Sequence, residues 1–146
     1  MQHKKTREIK AQLIRWGYDA VTADSGIMNR VNVAIRGKAG MRYTISFMAI
    51  DGENDVRVSV RDLFVTRPDR ECRRTLALMN SINAREDLLC KIYRDMNGSI
   101  ALGYDFTEGC LAPEKQAPAI IDEIKALVDE IYPQMMTVIR QDDAEK

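Results

Sequence analysis

The chain has 146 residues, with 22 basic and 22 acidic side chains, one histidine and three cysteines. A chain of this length buries enough apolar surface to hold a fold together without metal ions or disulfide bonds, so we expect a single domain over residues 1–146. The apolar content of 45%, the charged content of 30% and the zero net charge argue against intrinsic disorder and against a strongly basic nucleic-acid-binding module.

The sequence also bears on membranes and on the cellular compartment. No stretch reaches the ~18–20 consecutive apolar residues that a membrane helix needs, and charged residues interrupt any apolar core that a secretory signal would require. The cysteines, Cys72, Cys90 and Cys110, are odd in number and widely spaced, unlike an extracellular disulfide framework. We therefore expect a cytoplasmic protein with reduced thiols and no membrane association.

The first predicted element is an amphipathic helix. Ile9, Leu13 and Trp16 recur at steps of four and three, which places them on one buried face. Gly17 follows at the position where a left-handed residue usually ends a helix. Lysine and arginine side chains line the rest of the helix surface, so this helix should lie against another layer of the structure.

Alternating apolar and polar residues then predict three strands, over residues 27–36, 42–47 and 56–61. Small polar turns at residues 37–40 and 51–54 join them. We expect an antiparallel meander with one apolar face and one solvated face.

A second helix is predicted to begin at Thr66, which would cap the first turn, with Pro68 inside that turn. The helix should end near Arg85. Its predicted core stripe consists of Cys72, Leu76, Met79 and Ile82.

A hairpin is predicted to follow, because residues 89–95 alternate as a strand and Asn97-Gly98 is typical of a tight hairpin turn. The apolar side of the return strand consists of Ile100, Leu102, Tyr104 and Phe106.

The last predicted element is a long helix that starts near Pro113 or Pro118. Pro133 should break or kink it, and residues 141–146 should form a frayed end. The predicted order is helix, three strands, helix, two strands, helix, which is an α+β arrangement.

Three short motifs accompany this order of elements. Residues 76–83 form a predicted helix segment with two asparagines three positions apart, residues 92–100 form the Asn-Gly hairpin, and Gly17-Tyr18-Asp19 follows the first helix. The order and the motifs together resemble the YbjN family, whose domains share the fold of type III secretion chaperones.

The resemblance implies a small, often dimeric and non-catalytic domain that binds other proteins. Members of the family are described as sensory or regulatory proteins. Secretion chaperones of this fold bind unfolded segments of effector proteins on their exterior.

Residues that could support catalysis or metal binding are sparse. The single histidine is His3, in a charged terminal segment, and the apolar stripes make Cys72 and Cys90 core residues, which leaves Cys110 as the most accessible thiol. The acidic residues 51–55 lack the spacing of a calcium loop, and the glycines of residues 37–40 lead into no helix as a phosphate-binding loop would. We expect no catalytic residue, no metal and no cofactor.

The paired asparagines Asn80 and Asn83 lie on or beside the apolar stripe of the second helix. We interpret them as a structural polar pair, whose amides bond backbone groups where the helix leads into the following strand. Contact with a ligand is the alternative.

The polar face of the predicted meander is the strongest candidate for a binding surface. Its arginines are Arg30, Arg36, Arg42, Arg57 and Arg61. Guanidinium groups suit carboxylate or phosphate recognition, whereas the alternative is an ordinary solvated face. Met48 and Ile50 lie on the same side, and interleaved aromatic residues are missing, which favours a protein or dimer surface over nucleic acid.

The charges are divided unevenly along the chain. Residues 1–74 carry 15 basic and 9 acidic side chains, whereas residues 75–146 carry 7 and 13. The neutral total therefore conceals a basic first half and an acidic second half, and it favours pairing between complementary surfaces.

The sequence predicts a non-catalytic protein-interaction domain, chaperone-like or regulatory, that binds a segment of a partner protein. We expect a homodimer, from the resemblance and from the apolar residues 135–139, which could instead tuck into the same monomer. The alternative function is a nucleic-acid-associated regulator that uses the arginine face. An enzyme has the least support.

Overall fold

The computed structural model describes residues 4–25, 28–50, 56–106 and 113–145, with the backbone alone described at residues 50, 105, 106 and 113–115. Within these ranges the chain forms three α-helices and six β-strands. The helices are α1 Lys4–Arg15, α2 Arg73–Asn83 and α3 Pro113–Ala144. The strands are β1 Ala20–Ser25, β2 Met28–Arg36, β3 Arg42–Ile50, β4 Val56–Val65, β5 Lys91–Arg94 and β6 Ser99–Phe106.

All six strands form one antiparallel sheet in the order β1-β2-β3-β4-β6-β5. Strands β1, β2 and β3 each pair with the next strand of the chain. After α2 the chain returns as the β5–β6 hairpin, in which β6 pairs with β4. The fold is therefore α+β, and β1 and β5 form the two edges of the sheet.

One face of the sheet is apolar and packs against the helices. The register pairs Val31 with Phe47 and Phe47 with Val58, and all three side chains are buried. The helices add Ile9, Leu13, Met79, Ile82, Ile124, Val128 and Ile131 to the same core. We call this the inner face. The three described helices all contribute to it, so the opposite surface, which we call the outer face, has no described helix against it.

The meander has four strands where the sequence predicts three. Strand β1 pairs with β2 from Ala20 opposite Val33 to Ser25 opposite Met28. Only Ala20 of β1 is buried, so the strand lacks the apolar alternation that would have predicted it. Its position as an edge strand explains the weak pattern, because an edge strand depends on one neighbour and leaves much of its surface in water.

The predicted burial of Ile9 and Leu13 is confirmed, but that of Trp16 is wrong. Trp16 is 64% exposed, because α1 ends at Arg15 and the helical period no longer applies beyond it. Gly17 then adopts a φ of 89°, as a left-handed residue at a helix end does.

Helix α2 begins at Arg73, seven positions after the predicted cap. Thr66 instead fixes the β5–β6 turn, because its backbone N–H and its hydroxyl both donate to the carbonyl of Gly98, at 2.8 and 2.7 Å. Arg94 supports the same segment by donating to the Thr66 hydroxyl at 2.8 Å and to the Arg67 carbonyl at 2.6 Å.

The cap of α2 comes from the far end of α3. The buried carboxylate of Asp142 accepts hydrogen bonds from the backbone and hydroxyl of Thr75, at 2.8 and 2.6 Å, and from the backbone of Arg74 at 3.2 Å. Asp142 is only 4% exposed. The expectation of a frayed end over residues 141–146 is therefore wrong at Asp142, whose helix continues to Ala144.

Helix α3 runs through both Pro118 and Pro133, so of the break or kink expected at Pro133 the break is wrong. Packing outweighs the lost backbone donor, because α3 carries buried residues on both sides of Pro133, including Ile131 and Met135. Met135 and Ile139 belong to the core of the chain. Of the two alternatives for residues 135–139, tucking into the same monomer is therefore the one that the structure shows. The described helices include none that is long and apolar enough to span a bilayer.

Candidate functional site

The strand register places four of the five predicted arginines on the outer face. Arg36 lies directly opposite Arg42, and Arg30 and Arg57 lie on either side of Met48. Directly paired residues share one face of a sheet. Met48 is on the same face as the arginines, as the alternation predicts, while the side chain of Ile50 lies outside the described residues.

The arginines form two groups along the strands. Arg36 and Arg42 meet at the β2–β3 turn, where like charges directly opposite each other are destabilising. Arg30 and Arg57 are two strand spacings apart, roughly 10 Å across the sheet. A negatively charged group bound at this pair would offset the repulsion between the two guanidinium groups.

The β2–β3 turn that carries the first group is anchored to α3. Asp129 on α3 accepts a hydrogen bond from the backbone N–H of Lys38 at 2.9 Å. Tyr43 is buried beneath the turn, and its burial, with the nearby carboxylate of Asp129, raises the pKa of its phenol to about 12. These contacts hold Arg36 and Arg42 on a fixed turn.

Arg61 lies at an irregularity in β4. The register with β6 shifts between Val60 and Phe64, and Asp62 has a φ of 54°. The Asp62 carboxylate accepts a hydrogen bond from the hydroxyl of Ser99. Arg61 is exposed next to this bulge, away from the regular pairing that groups the other arginines.

Strands β6 and β5 extend the outer face beyond the predicted meander. Gly103 of β6 lies opposite Ser59 of β4 on one side and Lys91 of β5 on the other. Gly103 is one of the residues that line a groove of about 490 Å³. We call it the Gly103 groove. Its side-chain walls are Arg57, Ser59, Leu89, Lys91 and Tyr93.

The walls of the Gly103 groove combine apolar and charged groups. Leu89 is 52% exposed and Tyr93 is 47% exposed. The Tyr93 ring leans towards Gly103, since a Cβ at that glycine would lie 3.1 Å from the Tyr93 Cε1 atom. The Lys91 ammonium donates to the backbone carbonyl of Asn83 at 3.0 Å, which uses one of its three donor positions.

The described strands of the meander carry no aromatic residue among the arginines of the outer face, but Tyr93 of β5 lies on the same face, outside the predicted meander. The alternation of Lys91 and Tyr93 against Cys90 and Ile92 is visible in the sequence and correctly separates the two sides of β5. Which face of the sheet each side joins depends on the pairing of β6 with β4, and no local pattern indicates that pairing.

The two asparagines of the predicted pair have different environments. Asn83 donates from its side-chain amide to the carbonyl of Ile92 and accepts from the N–H of Ile92, both at 2.8 Å. Asn80 is exposed. The amide of Asn83 therefore bonds the backbone where α2 leads into β5, and it does so at the free edge of that strand.

The two edges of the sheet consequently differ. On β5 the Asn83 amide occupies the backbone groups of Ile92, so a further strand cannot pair there without displacing it. Strand β1 pairs only with β2, and its Val21 is 62% exposed. A side-chain amide that occupies edge groups is one of the ways in which proteins block an edge strand.

The described cysteines are unsuited to nucleophilic chemistry. Cys72 and Cys90 are both buried. Burial, together with the carboxylate of Glu123, raises the pKa of the Cys90 thiol to about 12, so the thiol stays protonated at neutral pH. Among the residues that the structure describes, His, Cys, Asp and Glu side chains form no group of three or more that could hold a metal ion.

Several predicted features lie outside the described residues. These are His3, Cys110 and the acidic turn at residues 51–55. The candidate site is the outer face, which includes the Gly103 groove.

Comparisons of the chain with protein-family models, with curated proteins and with solved structures give no match.

Proposed function

We propose that the protein is a non-catalytic interaction domain that binds a segment of a partner protein on its outer face. One observation carries the proposal: the outer face presents charged and apolar side chains across the six-stranded sheet, and no described helix covers it. The directly opposed Arg36 and Arg42 and the half-exposed Tyr93 lie on this face, and both residue types are enriched in protein interfaces.

The residue types on this face favour a protein partner. Arginine, tyrosine and methionine are enriched in protein interfaces, and Arg57, Tyr93 and Met48 all lie on the outer face. Guanidinium groups bind carboxylates through paired hydrogen bonds. The partner segment is therefore expected to carry acidic and apolar residues.

We also propose a chaperone-like or regulatory role in the cytoplasm, as the resemblance to the YbjN family implies. The order of helices and strands supports the proposal, and β1 is an addition to the predicted arrangement. Homodimer formation is part of the same proposal, and the open edge of β1 supports it because an edge strand can pair with another copy.

The proposal is tested by removing charge from the outer face. Arg30→Ala, Arg42→Ala and Arg57→Ala are combined in one variant. Its control is Lys4→Ala, Arg7→Ala and Arg15→Ala, which removes three positive charges from the exposed surface of α1. Partner recovery from an extract of the producing cells is quantified by mass spectrometry, and oligomeric state is measured by light scattering.

We expect the outer-face variant to lose at least about tenfold in recovery of its partner, whereas the α1 variant keeps it. Unchanged capture and unchanged dimer formation in the outer-face variant would contradict the proposal.

A second candidate function, nucleic-acid binding, is favoured by Tyr93. It adds a stacking surface to a basic face. The two functions are separated with decathymidine as a probe, because phosphate contacts make affinity fall steeply between about 50 and 200 mM salt. Salt-dependent binding of decathymidine that requires Tyr93 would favour the nucleic-acid function. If decathymidine does not bind in this way, the protein-binding function is favoured.

A further inference from the structure

The β2–β3 turn brings two arginine side chains together on the outer face. The backbone N–H of Gly37 donates to the carbonyl of Met41 at 2.8 Å, which makes these two residues a hydrogen-bonded pair of the antiparallel ladder. Such pairs alternate with non-hydrogen-bonded pairs, whose Cα atoms are only about 4.5 Å apart. Arg36 and Arg42 are the next pair along the ladder, so their two positive charges start from closely spaced backbone positions.

The guanidinium groups of this pair face solvent without an acidic partner nearby in the chain. Arg36 and Arg42 are both exposed, and residues 28–50 contain no aspartate or glutamate. Within the part of the chain that the structure describes, neither guanidinium makes an ion pair or a hydrogen bond. Asp129 contacts the turn from α3, which packs against the inner face, and its carboxylate accepts the backbone N–H of Lys38. An anion that approaches the outer face can therefore reach both guanidinium groups.

Small side chains lie next to the pair on the same face. Ala34 lies opposite Thr44, two residues further from the turn on each strand, and both are exposed. Residues two apart on a strand share a face. The methyl group of Ala34 leaves space beside the arginines, and the hydroxyl of Thr44 is a further hydrogen-bond donor.

The charge of the pair favours a phosphate group over a carboxylate. A carboxylate carries one negative charge, which a single guanidinium matches through two parallel hydrogen bonds. A phosphorylated side chain carries about −1.5 to −2 charges at pH 7 and three acceptor oxygens, so it can bond both guanidinium groups and offset both charges.

The surroundings of the pair favour a phosphorylated protein over single-stranded nucleic acid. Among the described side chains that β2 and β3 place on the outer face, none is aromatic. Bases bound beside the pair would therefore lack the stacking surface that proteins use for single strands.

We propose that Arg36 and Arg42 bind a phosphorylated side chain of the partner segment, with the Thr44 hydroxyl as a further donor. The inference rests on the proposed function and specifies the chemistry of the partner. The bond between Gly37 and Met41 and the contact with Asp129 fix the backbone of the turn. Binding therefore orders two side chains and leaves the backbone in place, which keeps its entropic cost low.

The test uses a defined probe, the acetylated and amidated peptide GALSLAG with its serine phosphorylated, titrated to about 5 mM at pH 7. Matched probes are the same peptide without phosphate, the peptide GALDLAG, and inorganic phosphate. Binding is followed by the backbone amide and arginine Nε–H chemical shifts of the ¹⁵N-labelled protein. We expect the largest shifts at Arg36, Arg42 and Thr44, and none there with the unphosphorylated peptide.

The matched probes separate the chemistry of the ligand from its source. GALDLAG should bind at least about fivefold more weakly than the phosphopeptide, because its carboxylate offsets only one of the two charges. Inorganic phosphate should bind at least about threefold more weakly, because it lacks the contacts that a peptide segment adds on the sheet face.

The decisive variants remove one guanidinium each. Arg36→Gln and Arg42→Gln should each weaken binding of the phosphopeptide at least about fivefold. Arg30→Gln is the matched control, because Arg30 lies on the same face of β2, six residues and roughly 20 Å along the strand from Arg36. Screening over that distance should limit its effect on affinity to less than about twofold.

Four results would each overturn the inference: equal binding of the phosphopeptide and GALDLAG, unchanged binding in both glutamine variants, inorganic phosphate binding as tightly as the phosphopeptide, or tighter binding of decathymidine at the same arginines. These failures are distinct from a failure of the proposed function. If the phosphopeptide does not bind but the outer-face arginine variant still loses its partner, only the inference about the phosphate group falls.

Discussion

Asn83 is the last residue of α2, and its side chain covers part of the free edge of β5. Its amide makes two hydrogen bonds to Ile92, and that residue is buried. The Asn83 amide thus satisfies the N–H and the carbonyl of Ile92, which a further strand would otherwise bond. The sequence indicated a structural role for the asparagines, but it did not separate Asn83 from Asn80.

We predict that Asn83→Ala lowers the free energy of unfolding by about 1–3 kcal/mol, because it leaves the N–H and the carbonyl of Ile92 without their partner. Asn80→Ala is the matched control, since Asn80 is exposed on the same helix, and it should change stability by less than about 0.5 kcal/mol. Urea unfolding measures both. Equal effects of the two substitutions would show that the Asn83 bonds are not a specific source of stability.

Asp142 is the second residue whose role depends on a distant contact. Burial alone raises the pKa of its carboxyl, but the hydrogen bonds from the side chain and backbone of Thr75 and from the backbone of Arg74 outweigh burial, with help from the Arg74 charge, and the pKa is lowered. A group whose pKa is lower in the folded state stabilises the fold when it is ionised.

We predict that Asp142→Asn costs about 1–3 kcal/mol of unfolding free energy at neutral pH, because the charged cap of α2 is lost. The difference from the wild type should persist above the unfolded-state pKa of about 4 and shrink as pH falls from there through the lower pKa of the folded state, because the unfolded chain takes up the proton first. Urea unfolding at a series of pH values checks this. Asp143→Asn, at the exposed neighbouring position, should show no such pH-dependent difference.

At the scale of helices and strands, the sequence predicted those elements whose residues alternate regularly between buried and exposed positions. Strands β2, β3 and the first part of β4 could be predicted from their alternating residues, because each strand buries every second residue. The start of α2 could not, because its cap is Asp142, 67 positions from Thr75. Thr66 is a residue type that often caps a helix, but its hydroxyl donates to the carbonyl of Gly98 in the β5–β6 turn.

The β5–β6 turn gives a test at this scale. Gly98 has a φ of 83°, and a Cβ there would lie 2.3 Å from the backbone carbonyl oxygen of Thr66. Gly40 has a φ of 86° with nothing within 4 Å. Both glycines relieve the same backbone strain, but only Gly98 is held against another segment.

We predict that Gly40→Ala costs about 1–2 kcal/mol of unfolding free energy, and that Gly98→Ala costs a further ~1–3 kcal/mol, because the backbone of Thr66 must move. Thermal unfolding followed by circular dichroism compares the two variants. If both lose the same stability, the close approach of Thr66 to the turn contributes nothing beyond backbone strain.

At the scale of the whole molecule, the division of charge along the sequence becomes a division in space. The basic strands β2, β3 and β4 supply the arginines of the outer face, whereas the acidic residues of α3 lie with the helices. Asp129, Glu130 and Asp142 of α3 each bond a group from another element. These three acidic residues of α3 therefore bond other parts of the chain, and the register pairs a further acidic residue, Asp105 of β6, with Arg57.

The candidate site could be predicted in part. The arginines that share one face could be predicted from the sequence, because alternation within a strand decides which residues lie on the same side. The Gly103 groove could not, because it joins residues of β4, β5 and β6 that meet only through the pairing of β6 with β4. A glycine in a predicted strand was the only local signal for a depression at that point.

The claim that the outer face binds a partner protein is tested most directly by site-specific photo-cross-linking in the producing cells. A benzophenone amino acid is placed at Thr44 on the outer face and, in a separate variant, at Ala126 on α3, both at exposed positions. We predict a cross-linked product with another protein from Thr44 and none from Ala126. Cross-linking from Ala126 alone, or from neither position, would contradict the proposed function.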